Sequence, residues 1–404
     1  MGALSKASRG RGQLYLIEAV RTFAQGFFAI SFVVAARAAG MSALAVGLLT
    51  TLSVLIGIVM TRYMEGAVLR HGARVAFIGA GSLMVATGSV MLLIPGATGI
   101  SLAAVFGFLP PLGGQFVAAV IEGSLAQTPA AKRTKVFAFF GLLATVAGAM
   151  GSLFASVPAL FGASDIQAVT VLTTLLVLLG FVVAAVGALV PRSTSLSRMA
   201  PKADDLTALV NAGQRERLVY RLALLFTADA TGSGVVTPTL ILYWLHVNFH
   251  LSLSDLSLLY FGMDVLSALS FPLAERISRK IGLLNTAVFT HIPSSLLLMA
   301  VPFASSGAVA AALLLARALL VEMDVPTRQS YIASIVPSSM RSFAASRTSM
   351  GKQAGRAIGP AIGGALLTSV GAVAPFLAGG VLKISYDLAL WRSFRRVETA
   401  PAEE

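Results

Sequence analysis

The chain has 404 residues, 56% hydrophobic and only 12% charged, where a globular domain carries about 25% charged residues. That balance excludes a soluble enzyme and points to a polytopic membrane protein. A net charge of +13 would suggest nucleic acid in a soluble chain, but here the basic residues sit in short loops between apolar runs, where they orient helices. With no cysteine, disulfide frameworks, thiolate metal sites and thiol redox chemistry are excluded.

Lys6, Arg9 and Arg11 open the chain ahead of an apolar run. That run is too long for a signal-peptide core and contains Glu18 and Arg21, so it reads as the first membrane helix. A span needs about 20 mainly apolar residues. Twelve candidates follow, near residues 13–37, 42–61, 74–95, 99–123, 136–160, 167–190, 218–246, 252–273, 281–303, 306–323, 343–369 and 372–391. Alternate loops are basic: Arg62, Arg70 and Arg74; Lys132, Arg133 and Lys135; the polar stretch 191–217; Arg276, Arg279 and Lys280; Arg328 and Arg341; then Arg392, Arg395 and Arg396. The intervening loops hold Asp165, His246, His250 and Asp255, with Arg37 the main basic exception. By the positive-inside rule both termini are cytoplasmic and the number of spans is even.

The stretch 191–217 divides the chain into a bundle of six helices over 1–190, a cytoplasmic linker, and a second six-helix bundle with a short tail over 218–404. The halves repeat weakly. A shift of 208 residues lays Pro129 and Arg133 on Pro337 and Arg341, and Gly151 on Gly359; a shift of 206 lays Leu69–Arg74 on Glu275–Lys280. Two parallel six-helix repeats are a plan of secondary transporters, with a substrate site near the midplane between them. The expected fold is therefore an all-α membrane protein with twelve transmembrane helices in two pseudo-symmetric bundles.

The loop Phe271-Pro-Leu-Ala-Glu275-Arg276-Ile-Ser-Arg279-Lys280 resembles the signature of the major facilitator superfamily, Gly-x-Leu-Ala-Asp-Arg-x-Gly-Arg-Arg. The first copy is degraded: Arg70, Gly72 and Arg74 remain, Leu69 replaces the acid, and Glu65 stands one turn earlier. The resemblance implies that Glu275, Arg276 and Arg279, with Arg70 and Arg74, form a conformational latch on the cytoplasmic face. Gly351, Gly355, Gly359, Pro360 and Gly363 look like the family's Gly-x-x-x-Gly-Pro-x-x-Gly-Gly element; glycines four apart let helices pack closely. In proton-driven antiporters that element lies in the fifth span, whereas here it is in the eleventh. The run Met323–Tyr331 looks like that of prokaryotic efflux-type members.

An ionisable side chain at membrane depth is expensive and marks a functional-site hypothesis. Asp229 and Asp264 fall near the midplane of spans seven and eight, with His291, Arg317 and Arg356 at comparable depth in spans nine, ten and eleven. Asp229, Asp264 and His291 are the proton-coupling candidates. The alternative is that either acid forms a structural ion pair with Arg317 or Arg356, and that His291 is a hydrogen-bonded interior residue. Gln25, Gln115, Arg317 and Arg356 are the candidate substrate contacts. Lys383 and Asp387 read as an intrahelical pair, as do Glu18 and Arg21. Asp229-Ala-Thr-Gly232-Ser-Gly234 is no phosphate cradle, because it lies inside an apolar span.

No nucleotide loop, nucleophilic triad or metal-ligand spacing is found, so neither a metal, a cofactor nor bound ATP is expected. These features give a non-enzymatic secondary transporter in the bacterial inner membrane. It moves a small molecule by alternating access, with proton-coupled efflux of an organic or toxic compound as the leading version. Proton-coupled uptake of a metabolite and a non-transporting receptor or scaffold are the alternatives. The expected partners are the substrate, protons and the lipid bilayer, with no nucleic acid.

Overall fold

The computed structural model describes residues 2–106, 109, 115–125, 130–190, 212–324, 327, 328, 331 and 341–395. Among them every regular element is helical. The first half supplies α1 (Gly2–Ala38), α2 (Ala43–His71), α3 (Arg74–Leu93), α4 (Ala97–Ala104), α5 (Gln115–Leu125), α6 (Ala130–Phe154), α7 (Val157–Leu160) and α8 (Asp165–Leu189). The second supplies α9 (Ala212–Val235), α10 (Pro238–Phe249), α11 (Leu253–Ile281), α12 (Leu283–Ala300), α13 (Gly307–Val321), α14 (Arg341–Ser369) and α15 (Val373–Phe394).

Each of the twelve expected spans contains described helix, and among the described residues eight helical stretches are long and apolar enough to cross a membrane. The remaining four fall short for separate reasons. Of the fourth span the described helices are α4 and α5, and the seventh is divided into α9 and α10. In the tenth, α13 has only 15 residues. The eleventh, α14, carries Arg341, Arg347, Lys352 and Arg356 and no acid. Residues 191–211 of the expected linker and 396–404 of the tail lie outside the described residues.

The described chain divides into two compact units, Met1–Met199 with Pro238–Phe261, and Ala200–Thr237 with Gly262–Glu404. In the first, α1 packs on α6 and α8, and α3 on α8. α10 belongs to this unit and lies against α1 and α2. There the Tyr243 hydroxyl donates to the Met41 carbonyl at 2.6 Å, the Ser257 hydroxyl donates to the Ser152 carbonyl, and the Leu253 N–H donates to Asp165 at 3.3 Å. The break before α10 has a chemical cause. Pro238 opens the helix, where its missing N–H costs nothing and its fixed φ suits the first turn.

The second unit repeats the packing order of the first, with α9 on α14 and α15, and α12 on α15. The register of the repeat can be read from glycines. A Cβ on Gly26 would strike the Gly148 carbonyl, and one on Gly151 the Phe23 carbonyl; a Cβ on Gly359 would strike the backbone of Gly234. Gly26 to Gly234 and Gly151 to Gly359 are the same 208-residue shift. The turns after α2 and α11 differ from the shift of 206 expected there. Gly72 has φ 82 and ψ 169, Gly282 has φ 86 and ψ 161, and the two are 210 residues apart. Only glycine enters that backbone region freely, so these positions fix the register. Under it, Glu65 and Glu275 each stand seven residues before the turning glycine. The side chain of Glu65 lies outside the described residues.

The α9–α14 contact is made backbone to backbone, so a methyl group there has no room. We expect Gly359→Ala to destabilise the protein by roughly 1–3 kcal/mol, the usual cost of overpacking. Gly141→Ala, on α6 with no atom within 4 Å of its Cβ position, should be neutral or slightly stabilising. Thermal unfolding of the detergent-solubilised variants checks both, and equal melting temperatures would contradict the packing account.

Candidate functional site

Asp229 lies in α9, six residues before the helix ends at Val235. Its two carboxylate oxygens are used separately: Lys383 donates to Oδ1 at 3.0 Å from α15, and Arg328 reaches Oδ2 at 3.2 Å. Arg328 also contacts Asp324 at 2.8 Å and donates to the Tyr386 hydroxyl at 3.3 Å. Its guanidinium lies 4.9 Å from the centre of the Phe226 ring. On the other side, Lys383 is 3.3 Å from Nε2 of His291, and His291 Nδ1 is 2.8 Å from Oδ2 of Asp387. Asp229, Asp324, His291, Lys383 and Asp387 are all buried, with none above 7% exposure. Full burial explains the multiplicity of contacts, since a charge removed from water must be paired and hydrogen-bonded.

The contacts assign the protons of the imidazole. A lysine ammonium has only donors, so Nε2 of His291 accepts from it. Nδ1 then carries the hydrogen and donates to Asp387. In this state His291 is neutral, and the network runs from Asp324 through Arg328, Asp229, Lys383 and His291 to Asp387. Among the described residues it holds three carboxylates against two cations. Asp229 is shared by both cations, whereas the described partner of Asp387 is the neutral imidazole.

The structure distributes the other sequence candidates differently. Asp229 pairs with Arg328 and Lys383, not with Arg317 or Arg356, the partners named in the structural alternative. Lys383 and Asp387, expected to pair along one helix, are instead bridged by His291. Arg328, counted with the loop charges, is in the buried network because the chain beyond α13 carries Asp324 and Arg328 one turn apart against α9 and α15. Asp264 is half-buried on α11, and Gln25 half-buried on α1. Arg317 sits on α13 with its Nε buried and unpartnered among the described residues. Arg356 is exposed on α14. The side chain of Gln115 lies outside the described residues, as do residues 325, 326, 329 and 330 of the Met323–Tyr331 run. Glu18 and Arg21 do pair locally, at 2.6 Å and buried.

Of the latch residues, Glu275 pairs with Arg279 at 2.5 Å on the exposed end of its own helix, an arrangement worth only ~0.3–0.5 kcal/mol. Arg276 and Arg70 are exposed. Arg74 acts on the neighbouring helix instead, where its Nε donates to the Val190 carbonyl and so caps the end of α8. Gly351 and Gly355 lie against Ala223, Thr227 and Thr231 of α9, and Pro360 and Gly363 are buried further along α14.

Residues 222–404 match the family model described as Major Facilitator Superfamily. A bacterial homologue of the iron transporter ferroportin, in an inward-facing state, superimposes with a TM-score of 0.72 at 13% identity, covering 95% of this chain and 98% of the other. The chain has the major facilitator fold. A D-xylose-proton symporter gives a TM-score of 0.68 at 14% identity over 96% and 97% of the two chains. The nucleoside transporter NupG gives 0.66 at 12% identity over 96% and 98%. No curated protein sequence matches the chain. Within this fold the buried network occupies α9, α12, α15 and the segment after α13, all in the second unit.

Removing one partner of a buried ion pair strands the other, at a cost of roughly 3–5 kcal/mol. Asp229→Asn and Lys383→Gln should therefore each lower the melting temperature strongly. The double variant should lose clearly less than the sum, because neither charge is then left alone. Strict additivity of the two losses would remove the pair from the account of stability.

Proposed function

We propose that the protein is a secondary transporter in a bacterial inner membrane, moving a small molecule by alternating access in exchange for protons. The observation that carries the coupling is the charge balance of the buried network. Among the described residues three carboxylates face two obligatory cations, so uptake of one proton neutralises this hydrogen-bonded network and its loss restores the imbalance. A site that changes net charge on binding a proton, at membrane depth, couples protonation to conformation through desolvation.

The acceptor is the His291–Asp387 pair. Asp229 already shares two cations and acts as the anchor, while Asp387 leans on a neutral imidazole. Lys383, Arg328 and Asp324 face the pair from α15 and the segment after α13, and Asp229 from α9, with the Tyr386 ring 6.4 Å from the imidazole. A proton placed on His291 would turn its contact with Lys383 into a like-charge one, which gives Lys383 a reason to move.

Infrared difference spectra of the reconstituted protein, recorded between acid and neutral pH, test this without knowledge of the substrate. A protonated-carboxyl band should titrate in the wild type, vanish in Asp387→Asn and persist in Asp264→Asn. A band that survives Asp387→Asn and disappears in Asp229→Asn would transfer the proton to Asp229. Absence of both a titrating carboxyl band and a titrating imidazolium band would sink coupling through this cluster.

Orientation and direction belong to the same reading. Because basic loops alternate along the sequence, a reporter fused after Arg198 should be cytoplasmic and one fused near Asn248 external; finding both on one side would refute that orientation. Export is the version carried forward, since the run that resembles efflux-type members contributes Asp324 and Arg328 to the cluster. An expression strain should gain resistance to at least one compound of a toxic panel. Growth on a new carbon source without any gain in resistance would reverse the direction.

A further inference from the structure

Helix α14 has two adjoining faces with different chemistry. Gly351, Gly355 and Gly359 form the face packed against α9, and Thr348 three residues before Gly351 is buried. Ser349, Lys352, Gln353 and Arg356, spaced three, four and seven apart, share the next face. Ser349, Gln353 and Arg356 are exposed and Lys352 is half-buried. Arg356 stands at the middle of this 29-residue helix and Lys352 one turn before it. The helix contains no acid. Gln353 donates to Ser349 at 3.5 Å. The Lys352 amine lies 5.8 Å from the centre of the Phe226 ring, the ring that Arg328 also covers. The nearby carboxylates, Asp229 and Asp324, are already engaged by Arg328 and Lys383.

Two cations and two neutral polar groups in a row at the middle of a membrane-spanning helix are costly against lipid, and such residues face water or partners instead. We propose that this face of α14 lines a water-filled path and binds the substrate, and that the substrate carries a carboxylate, phosphate or sulfonate. The proposal rests on the transport reading and names the substrate class for it. Arg356 offers the planar fork that matches such an anion in two hydrogen bonds, and Lys352 a point charge one turn away. Ser349 and Gln353 supply neutral donors beside them. The site is assembled from four residues of one helix, so it keeps its geometry in any conformation that keeps α14 intact.

The absence of cysteine in the chain makes the test direct. Ser349→Cys and Gln353→Cys each introduce a single thiol beside the cations. The purified variants are placed in phosphatidylcholine vesicles and treated with the anionic reagent sulfonatoethyl methanethiosulfonate or the cationic reagent trimethylammonioethyl methanethiosulfonate. The rate ratio is compared with that of a free thiol. Two cations within one helical turn should shift it about tenfold towards the anionic reagent at low salt, and Lys352→Gln with Arg356→Gln should abolish the shift. Lack of reaction with both reagents places the stripe against lipid and overturns the proposal, as does a preference for the cationic reagent. Loss of the anion preference when phosphatidylglycerol is added assigns the stripe to a lipid headgroup and also overturns it. None of these outcomes touches the protonation test on Asp387, so the anion site and the transport reading fail separately.

Discussion

Burial of charge is the constraint on which the second unit depends. A carboxylate in a low-dielectric interior is tolerated only beside a cation that also hydrogen-bonds it, and Asp229 holds two, one from α15 and one from the segment after α13. Those pairs tie α9 to two other elements at the level where the helices have the fewest polar alternatives. His291 extends the tie to α12 through Lys383 and Asp387. The apolar residues below it follow the same centre: Phe226, Val288, Tyr386 and Leu390 close one buried cluster around these helices. A polar network of this kind defines one arrangement of four elements far more narrowly than apolar contacts would, since each donor accepts only one direction of approach.

The architecture was open to reading because its causes are local. Twelve apolar runs and their alternating basic loops can be found without knowing what packs on what, and so can Glu18 with Arg21. The site was legible only in part. Asp229 and His291 stand out as ionisable groups in apolar spans, yet their partners lie 154 and 96 residues away in sequence. Lys383 and Asp387 have the spacing of an intrahelical pair, and nothing in that spacing reveals an imidazole between them. Arg328 was hidden by its setting, close enough to a basic loop to be counted with it. The signal that could have found it is the four-residue interval between Asp324 and Arg328 beside an intramembrane span. The interval of 206 residues assigned to the cytoplasmic loops failed for a comparable reason. Side-chain similarity aligned Leu69 with Glu275, while the chain reverses at Gly72 and Gly282.

Charge is also distributed unevenly between the two copies of the repeat. The 208-residue register sets Arg21 in the position of Asp229. Arg21 pairs with Glu18 three residues away on its own helix, and Asp229 with Lys383 and Arg328 on other elements. The corresponding position is thus a cation in one copy and an acid in the other. Divergence of this sort leaves the common packing order intact while reversing the sign of the charge at one position.

The glycine contact between α9 and α14 has a mechanical consequence. Interdigitated side chains form ridges, and one helix can move along another only by lifting each ridge out of its groove. Where Gly234 meets Gly359 and Thr227 meets Gly351 and Gly355, there is little to lift. Such a seam resists separation, because backbone atoms are in direct contact, but offers low resistance to sliding along its length. α14 is therefore placed to travel parallel to α9 as a rigid rod without repacking a core.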